Sequence, residues 1–471
     1  MISKLTLSLI AAAVAVQLQA VTIENTAGGL SSRITDTGIA SLTVTGTMDA
    51  YDFYFIADNL DCLTTVDLSG VEVVPGSVSL RYGQRAFAAG ELPAGAFAGK
   101  KTLASIALPS GLKVIGDAAF AGCTSISAIT LPASVTSIGE YAFAGCTSLT
   151  DVMLPASVEQ VGAGAFMRCT SLKSLTAASG SRLASIGEGA LMDCPALTAI
   201  DLGTSLQAIG ERALAGSGVG DLDLTASKGL TAVDAWAMAG SQATSVKLPA
   251  TLSQLGDGAF LYATRLENVT LGSKLGSLND YTLAGTALAT SPQMGGMSAV
   301  GDYAMYNVST LSVVELPTTI TWLGSRSMAG MTGLAELKSN AANVPALGEN
   351  VWDGVNQGAV LLYVPASARD SYAAAEQWKE FLFGSTWLKG DVNLDGEVNI
   401  ADVNAILNII MGGRVDADTM KRADVNEDGE VNIADVNAVL NIIFGTRNIL
   451  YIDREELATS IPVNQQTNQV K

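Results

Sequence analysis

The sequence predicts a mainly β solenoid of stacked coils with a parallel sheet, followed by a small all-α domain. Two observations lead to this prediction. A phrase of about 23 residues recurs through the middle of the chain, and a different segment, Gly390–Gly412, returns at Ala423–Gly445 with 19 of 23 residues identical. Repeats of the first kind are typical of solenoids, in which units too small to bury their apolar faces alone share one continuous core.

The first twenty residues have the pattern of a secretory signal. Lys4 provides the positive start, an apolar stretch follows, and Leu18-Gln19-Ala20 forms a small-residue cleavage site. The sequence therefore predicts a signal over 1–20 and export of the mature protein. No later stretch offers ~18 uninterrupted apolar residues, so no membrane span is predicted.

Composition excludes several classes of function. The chain has 45 acidic and 26 basic residues, and its formal charge of −19 makes nucleic acid an unsuitable partner because phosphates require a basic face. It contains no histidine, which removes Ser-His and Cys-His nucleophiles and His-ligated zinc or iron sites. Histidine-dependent catalysis is therefore excluded, and because repeats and caps occupy nearly all of the chain outside the duplicated segment, we expect a protein that is not an enzyme.

The repeat is clearest in "LPASVTSIGEYAFAGCTSLTDVM", Leu131–Met153. An aromatic or long apolar residue marks its centre, and eleven copies are predicted from that position: Phe97, Phe120, Phe143, Phe166, Leu191, Leu214, Met238, Phe260, Leu283, Met305 and Met328. Leu149, Val152 and Leu154 have the spacing of one short strand per coil, which Pro155 ends because proline has no amide hydrogen.

The sequence of the other limb of each coil predicts turns on either side of a buried central residue. Val135 and Ile138 are expected to point inward, and Gly139 and Gly145 supply the corners. Four cysteines recur at one repeat position, where a small apolar residue suffices, so they are predicted to be buried free thiols: Cys123, Cys146, Cys169 and Cys194.

The motif "LP..V..IG..AF.GC.SL" resembles BspA-like leucine-rich repeats, which occur in exported surface proteins. The resemblance implies a leucine-rich-repeat solenoid over 91–340, between an N-terminal cap at 21–90 and a C-terminal cap at 341–388, and a role in adhesion or protein binding. The outward positions of the strand face carry mixed charge and no aromatic, so they identify no ligand: Thr130, Met153, Thr176, Asp201, Asp223, Lys247, Thr270, Glu315 and Lys338.

The duplicated segment has the spacing of a calcium loop. Oxygen donors stand at loop positions 1, 3, 5, 7, 9 and 12, with glycine at position 6 for the sharp turn, and calcium prefers six to eight oxygen ligands. The predicted ligands of two Ca²⁺ ions are Asp391, Asn393, Asp395, Glu397, Asn399 and Asp402 in the first loop, and Asp424, Asn426, Asp428, Glu430, Asn432 and Asp435 in the second.

Both loops close with Asp at position 12, and this departure from the usual Glu fits the dockerin type I repeat, which the segment resembles. The resemblance implies a dockerin-like domain over 389–448, followed by a polar tail at 449–471, and docking to a cohesin-like protein partner through residues 390–448. The family's recognition pair falls at Ile400-Ala401 and Ile433-Ala434. These residues differ from the Ser-Thr pair that is frequent in cellulosomal members.

A helix is expected after each loop, and the two helices should pack through apolar faces: Val403, Ile406, Leu407 and Ile410 with Val436, Val439, Leu440 and Ile443. Residues 390–448 include 11 acidic and 4 basic residues, so repulsion between carboxylates should keep this small core unfolded without metal. Calcium is therefore expected to be a folding partner.

The sequence thus favours an exported, non-catalytic binding or adhesion protein. The alternatives are an architectural spacer or a non-catalytic component of a polysaccharide-degrading complex. A glycoside hydrolase is the least favoured, because repeats and caps leave no room for a catalytic barrel.

Overall fold

The structure is a computed structural model that describes residues 19–80, 83–384, 390–393, 397–415, 417–426 and 428–444. The predicted polar tail and nearly all of the predicted signal lie outside these residues. The chain divides into two compact units, one of 1–362 with 376–382 and one of 363–375 with 383–471. Along the described ranges, no helix is long and apolar enough to cross a membrane.

The N-terminal segment already follows the geometry of the repeats. Its elements are the strands Ala20–Asn25, Ser41–Met48 and Thr65–Val73, the helices α1 (Leu30–Arg33) and α2 (Ala50–Asn59), and the hairpin strands Gly76–Leu80 and Gly83–Phe87. The first three strands are parallel, and the third continues the sheet to Ser105–Ala107. The sequence pattern suggested only strands here. Helix α2 forms because Asp49 and Asp52 make a capping box at its start.

Each coil contributes a two-residue strand to a parallel ladder, which is divided into a sheet of eight strands and a sheet of four. These strands are Glu91–Leu92, Val114–Ile115, Ser137–Ile138, Gln160–Val161, Ser185–Ile186, Ala208–Ile209, Ala232–Val233, Gln254–Leu255, Ser277–Leu278, Ala299–Val300, Trp322–Leu323 and Ala346–Leu347. Their second residue is buried in nearly every coil, as Ile138 is in the third. The prediction of one strand per coil is therefore wrong, because this limb also pairs with its neighbours.

The predicted strand forms a second ladder on another side of the coils, which is divided into parallel sheets of three or four strands. Its members after Ser105–Ala107 are Asp151–Leu154, Ser174–Ala177, Ala199–Asp201, Leu222–Asp223, Ser245–Lys247, Asn268–Thr270, Val313–Leu316 and Glu336–Ser339. Val152 and Leu154 are buried there as predicted. The ladder has no strand between Thr270 and Val313, where Pro292 has no amide hydrogen to donate.

Two left-handed residues turn every coil, one two positions before and one two positions after the central apolar residue. In the third coil they are Tyr141 (φ 54°) and Gly145 (φ 71°). The same pair occurs at Asn350 (φ 55°) and Gly354 (φ 76°), on either side of the buried Trp352. The solenoid therefore has twelve coils, one more than predicted, because Trp352 fills the central position that the sequence analysis assigned to the cap.

The solenoid core is a column of stacked side chains. The rings of Phe97, Phe120, Phe143 and Phe166 lie nearly parallel, with centroids 5.2–5.3 Å apart. The four repeat cysteines are buried and free, as predicted. Each thiol donates to the carbonyl oxygen of the central phenylalanine one coil back, at 3.0–3.2 Å.

The segment after the twelfth coil has short elements. They are the 3₁₀ turns Gln357–Ala359 and Ala366–Ala368, the strands Leu361–Tyr363 and Leu382–Phe383, and helix α3 (Arg369–Ala374). The second unit then contains α4 (Ile400–Ile410), α5 (Ala417–Ala423) and α6 (Ile433–Phe444). The sequence analysis anticipated α4 and α6 but not α5.

Helices α4 and α6 pack through one small core. Its fully buried residues are Val392, Val403, Ile406, Ala423, Val425, Val436 and Val439, with Leu407, Leu440 and Ile443 half-buried around them. The predicted apolar faces are correct except at Ile410, which is 42% exposed. It lies at the last residue of α4, and the neighbouring Ile409 packs on the core in its place.

Candidate functional site

The first loop is closed by a buried carboxylate. Asp402 Oδ1 accepts hydrogen bonds from the amides of Val392 (2.7 Å) and Asn393 (3.1 Å), and its Oδ2 accepts from the amide of Asn399 (2.9 Å). Asn399 is the N-cap of α4, and its Oδ1 accepts from the amide of Ala401 at 2.7 Å. Asp402 thus ties the start of the loop to the start of the helix.

The second loop repeats this closure. Asp435 is also fully buried, and its two carboxylate oxygens accept from the amides of Asn426 (3.0 Å) and Asn432 (2.9 Å). Asn432 Oδ1 in turn accepts from the amide of Ala434 at 2.8 Å. The same geometry in both copies shows that the sequence identity extends to the local structure.

Side chains at positions 1, 3 and 5 of the second loop accept hydrogen bonds from the backbone of the same loop. Asp424 accepts from the amides of Asp428 (3.0 Å) and Gly429 (2.9 Å), and Asn426 Oδ1 also accepts from the amide of Asp428 (3.0 Å). Asp428 Oδ1 then accepts from the amide of Glu430 at 2.9 Å. Gly429 has φ +87°, which a residue with a Cβ adopts only with strain.

The donor chemistry of these loops fits a hard cation. Carboxylate and amide oxygens surround short turns, and Asp391, Asp402 and Asp435 are at most 2% exposed, so their negative charge is removed from water. Glu397 and Glu430 are exposed, which is consistent with their predicted contribution through the backbone carbonyl. Asp395 lies outside the described residues. Within the described part of the chain, no three Asp, Glu or Cys side chains are grouped to hold a metal.

Two apolar residues at equivalent positions face solvent. Ile400 is 61% exposed and Ile433 is 62% exposed, each at the first residue of its helix. The exposed Met411 and Phe444 lie at the opposite ends of these two helices. A Cβ on Gly390 would lie 3.0 Å from the Ile442 side chain, so the end of α6 lies beside the beginning of the first loop.

As the sequence suggested, the residues on the strand face of the solenoid identify no ligand. Another face of the coils carries aromatic residues. Aromatic residues occupy left-handed turn positions in neighbouring coils: Trp236, Tyr281 and Tyr303 stand before the central residue, and Tyr262 stands after it. The sequence analysis missed them because it examined the strand positions only. A comparison of the repeat columns on either side of the central residue would have found them.

The chain combines a repeat solenoid with a duplicated acidic loop-and-helix unit, which is the architecture of a modular protein. The BspA type leucine-rich repeat region matches in six copies, over residues 90–220, 184–294 and 231–357, which together are more than half of the chain. The chain therefore belongs to the BspA type leucine-rich repeat family. The dockerin type I domain matches residues 389–443, and domains of this type bind Ca²⁺. Both kinds of module are typical of extracellular and cell-surface proteins.

A solved leucine-rich repeat structure agrees with the fold. A leucine-rich repeat protein from Bacteroides ovatus has a TM-score of 0.51 and 20% identity, covering 78% of this chain and 92% of its own. A leucine rich cell surface protein from Faecalibacterium prausnitzii has a TM-score of 0.32 and 20% identity, covering 59% of this chain and 87% of its own. No curated protein sequence matches the chain.

Proposed function

We propose that the protein is an exported, non-catalytic binding protein in which a calcium-folded dockerin module docks to a cohesin-like partner while the solenoid recognises a second ligand. The observation that carries the docking part is the pair Ile400 and Ile433. Both are large apolar residues at the same position of a duplicated unit, and both are more than 60% exposed. Exposed apolar residues in such a repeated arrangement are typical of a protein-binding surface.

Two Ca²⁺ ions complete the module in this proposal. The first is held by Asp391, Asn393, Asp395, Glu397, Asn399 and Asp402, and the second by Asp424, Asn426, Asp428, Glu430, Asn432 and Asp435. Each ion supplies positive charge that offsets the clustered carboxylates. Burial of Asp402 and Asp435 supports this assignment, because buried anions need compensation by hydrogen bonds and by a counter-charge.

The residues at the two recognition positions carry no hydroxyl group, unlike the Ser-Thr pair that is frequent in cellulosomal members. The Ile400-Ala401 and Ile433-Ala434 pairs offer apolar contact and no side-chain hydrogen-bond donor, so the partner should present a complementary apolar patch. The two pairs belong to copies with the same local hydrogen bonds. Either copy can therefore serve as the docking face.

Substitution of the two isoleucines tests the docking surface. The variants Ile400→Asp and Ile433→Asp, singly and together, would be measured for binding to a panel of purified cohesin modules by surface plasmon resonance in calcium. Because the two faces are interchangeable, each single variant should keep binding within about threefold, and the double variant should lose at least about tenfold, which corresponds to about 1.4 kcal/mol. Met420→Asp is the control, since Met420 is an exposed apolar residue of α5 outside both pairs.

Two outcomes would contradict the proposal. Binding by the double variant as tight as that of the unsubstituted protein would remove the isoleucines from the interface. Loss of binding in Ile400→Asp alone would show that the two copies are not interchangeable. The circular dichroism of every variant in calcium should match the unsubstituted protein, which separates docking from folding.

A further inference from the structure

Aromatic and arginine side chains occupy turn positions in five consecutive coils of the solenoid. We define the turn-face ladder as Arg212, Trp236, Tyr262, Tyr281, Tyr303 and Tyr306 of coils six to ten, where Tyr262 and Tyr306 follow the central residue of their coil and the other four precede it. Tyr262 is 57% exposed and Tyr281 is 42% exposed. Tyr, Trp and Arg are the residue types that contribute most to protein-binding hot spots.

Glycines in the following coils hold the rings in place. A Cβ on Gly258 would lie 2.5 Å from Trp236 Cδ1, and a Cβ on Gly285 would lie 2.5 Å from Tyr262 Cδ1. Each ring therefore occupies the space that a side chain one coil further on would need. Because this packing fixes the rings before any partner arrives, a partner loses less conformational entropy on binding.

The rings also contact one another and a cation of the chain itself. Tyr281 and Tyr303 stack with centroids 4.9 Å apart at an interplanar angle of 4°, and Tyr306 meets Tyr303 edge-on at 5.5 Å. The guanidinium of Arg212 lies 4.4 Å from the centroid of Trp236. The ladder thus already binds one guanidinium group through a ring face.

Two carboxylates stand next to ladder tyrosines in the chain. Asp280 and Asp302 each precede a ladder tyrosine, and each is fixed by accepting an amide hydrogen bond at 2.7 Å from the next coil. Burial against the neighbouring coils, followed by the charges of Tyr303, Asp280 and Asp302, raises the pKa of Tyr281. Tyr281 therefore remains a neutral hydroxyl donor at physiological pH.

We propose that the turn-face ladder binds an arginine-bearing segment of a partner protein, with guanidinium groups stacked on the rings and paired with Asp280 and Asp302. This proposal rests on the proposed recognition role of the solenoid and names its ligand class. The carboxylates and the net charge of −19 favour a cation over a neutral ligand. The Arg212 contact shows that a guanidinium group packs against an aromatic ring of this surface, whereas a neutral sugar would leave Asp280 and Asp302 without a counter-charge.

Two peptides separate this recognition from general attraction to an acidic protein. An alternating Arg-Gly peptide and a Lys-Gly peptide of equal length carry the same charge, but guanidinium groups stack on aromatic rings better than ammonium groups do. Isothermal calorimetry on the full chain in calcium should show about tenfold tighter binding of the Arg-Gly peptide. The variant Tyr281→Asn with Tyr303→Asn should reduce that preference to less than about twofold.

The substitutions are designed to preserve the turn. Asn350 occupies the equivalent left-handed position in the twelfth coil, so asparagine fits the backbone there. Tyr141→Asn is the matched control, because Tyr141 has the same backbone conformation and a similar exposure to that of Tyr281, but lies in the third coil, away from the ladder. It should leave the preference for the Arg-Gly peptide unchanged.

Three results would overturn the proposal. The first is equal affinity for the two peptides, and the second is an arginine preference that survives the double substitution. The third is ring-dependent binding of a soluble neutral glucan without the Arg-Gly peptide, which would assign the surface to a polysaccharide. None of these results involves Ile400 or Ile433, so they leave the docking proposal intact.

Discussion

At the scale of single residues, the four cysteines at the same repeat position, here called the cysteine column, show why a thiol suits the core of a coil. Each of the four sulfurs reaches the carbonyl oxygen one coil back and is buried at the same time. Ser217 and Ser241 continue the column, and their buried hydroxyls have no hydrogen-bond partner among the described residues. The shorter C–O bond reaches less far than C–S, so sulfur satisfies this position better than oxygen does.

Thiol reactivity tests this arrangement. Burial raises the pKa of Cys146 to about 12 from an ordinary value of 9.0, so the nucleophilic thiolate is scarce at pH 8. A native sample treated with a thiol reagent should label the exposed Cys62 and spare the other four cysteines, and all five should react in denaturant. Rapid native labelling of Cys146, or mass evidence for a disulfide with Cys169, would contradict the buried-thiol assignment.

The same pKa shift has a stability consequence with a definite sign. The folded state favours the neutral thiol, so the contribution of Cys146 is complete below the unfolded pKa and is lost as the pH rises toward about 12. Cys123 and Cys194 are also raised to about 12. The solenoid should therefore lose stability between about pH 9 and 12.

At the scale of one coil, the stacked phenylalanine rings pack each coil against its neighbours. Phe143 lies 5.2 Å from the ring of Phe120 on one side and 5.2 Å from that of Phe166 on the other, fully buried. The variant Phe143→Ala leaves a cavity between two fixed rings and should lower the free energy of unfolding by about 3–5 kcal/mol. Denaturant titration with an unchanged m-value measures this loss.

A matched variant separates the cavity from the loss of an aromatic ring. Leu191 and Leu214 occupy the same column in later coils and are buried there. The variant Phe143→Leu should therefore cost less than half of what Phe143→Ala costs. Equal costs, or a cost below about 1 kcal/mol for the alanine variant, would show that the column is not tightly packed.

The repeat period predicted the buried residues of a coil well but its corners poorly. Ile138, Phe143 and Leu154 could be placed in the core because their spacing recurs and only one face of a coil is shielded. The left-handed position of Tyr141 could not be placed, because its column varies among glycine, alanine, tyrosine, tryptophan, arginine and asparagine. That position depends on the backbone turn and on the space left by a glycine in the next coil, which no local pattern reveals.

At the scale of the whole molecule, the two units are stabilised by different means. The first unit shares an apolar core over twelve coils, whereas the described part of the second has a core of seven buried residues and buries three aspartates. The duplicated sequence predicted α4, α6 and most of their contact. It did not predict α5, a single short helix with no counterpart in the repeat, or the exposure of Ile410 at a helix end.

These differences predict separate responses to calcium. In a calorimetric scan of the full chain with Ca²⁺, the second unit should unfold in its own transition. Chelation should abolish or strongly lower that transition and leave the solenoid transition in place, because two sites at a hundredfold excess of free calcium over Kd contribute about 5 kcal/mol. Chelation that leaves both transitions unchanged would show that the loops bind no calcium.

Single substitutions in the two loops test which residues bind each Ca²⁺ ion. Asp402→Ala removes the carboxylate that closes the first loop and leaves the amides of Val392 and Asn393 without their acceptor, and Asp435→Ala does the same in the second loop. Calcium titration of the full chain should give two ions for the unsubstituted protein and one, more weakly bound, for either variant. The remaining site weakens because α4 and α6 share one core, so loosening one helix loosens the other. Unchanged tight binding of two ions by either variant would remove Asp402 and Asp435 from the ligand set.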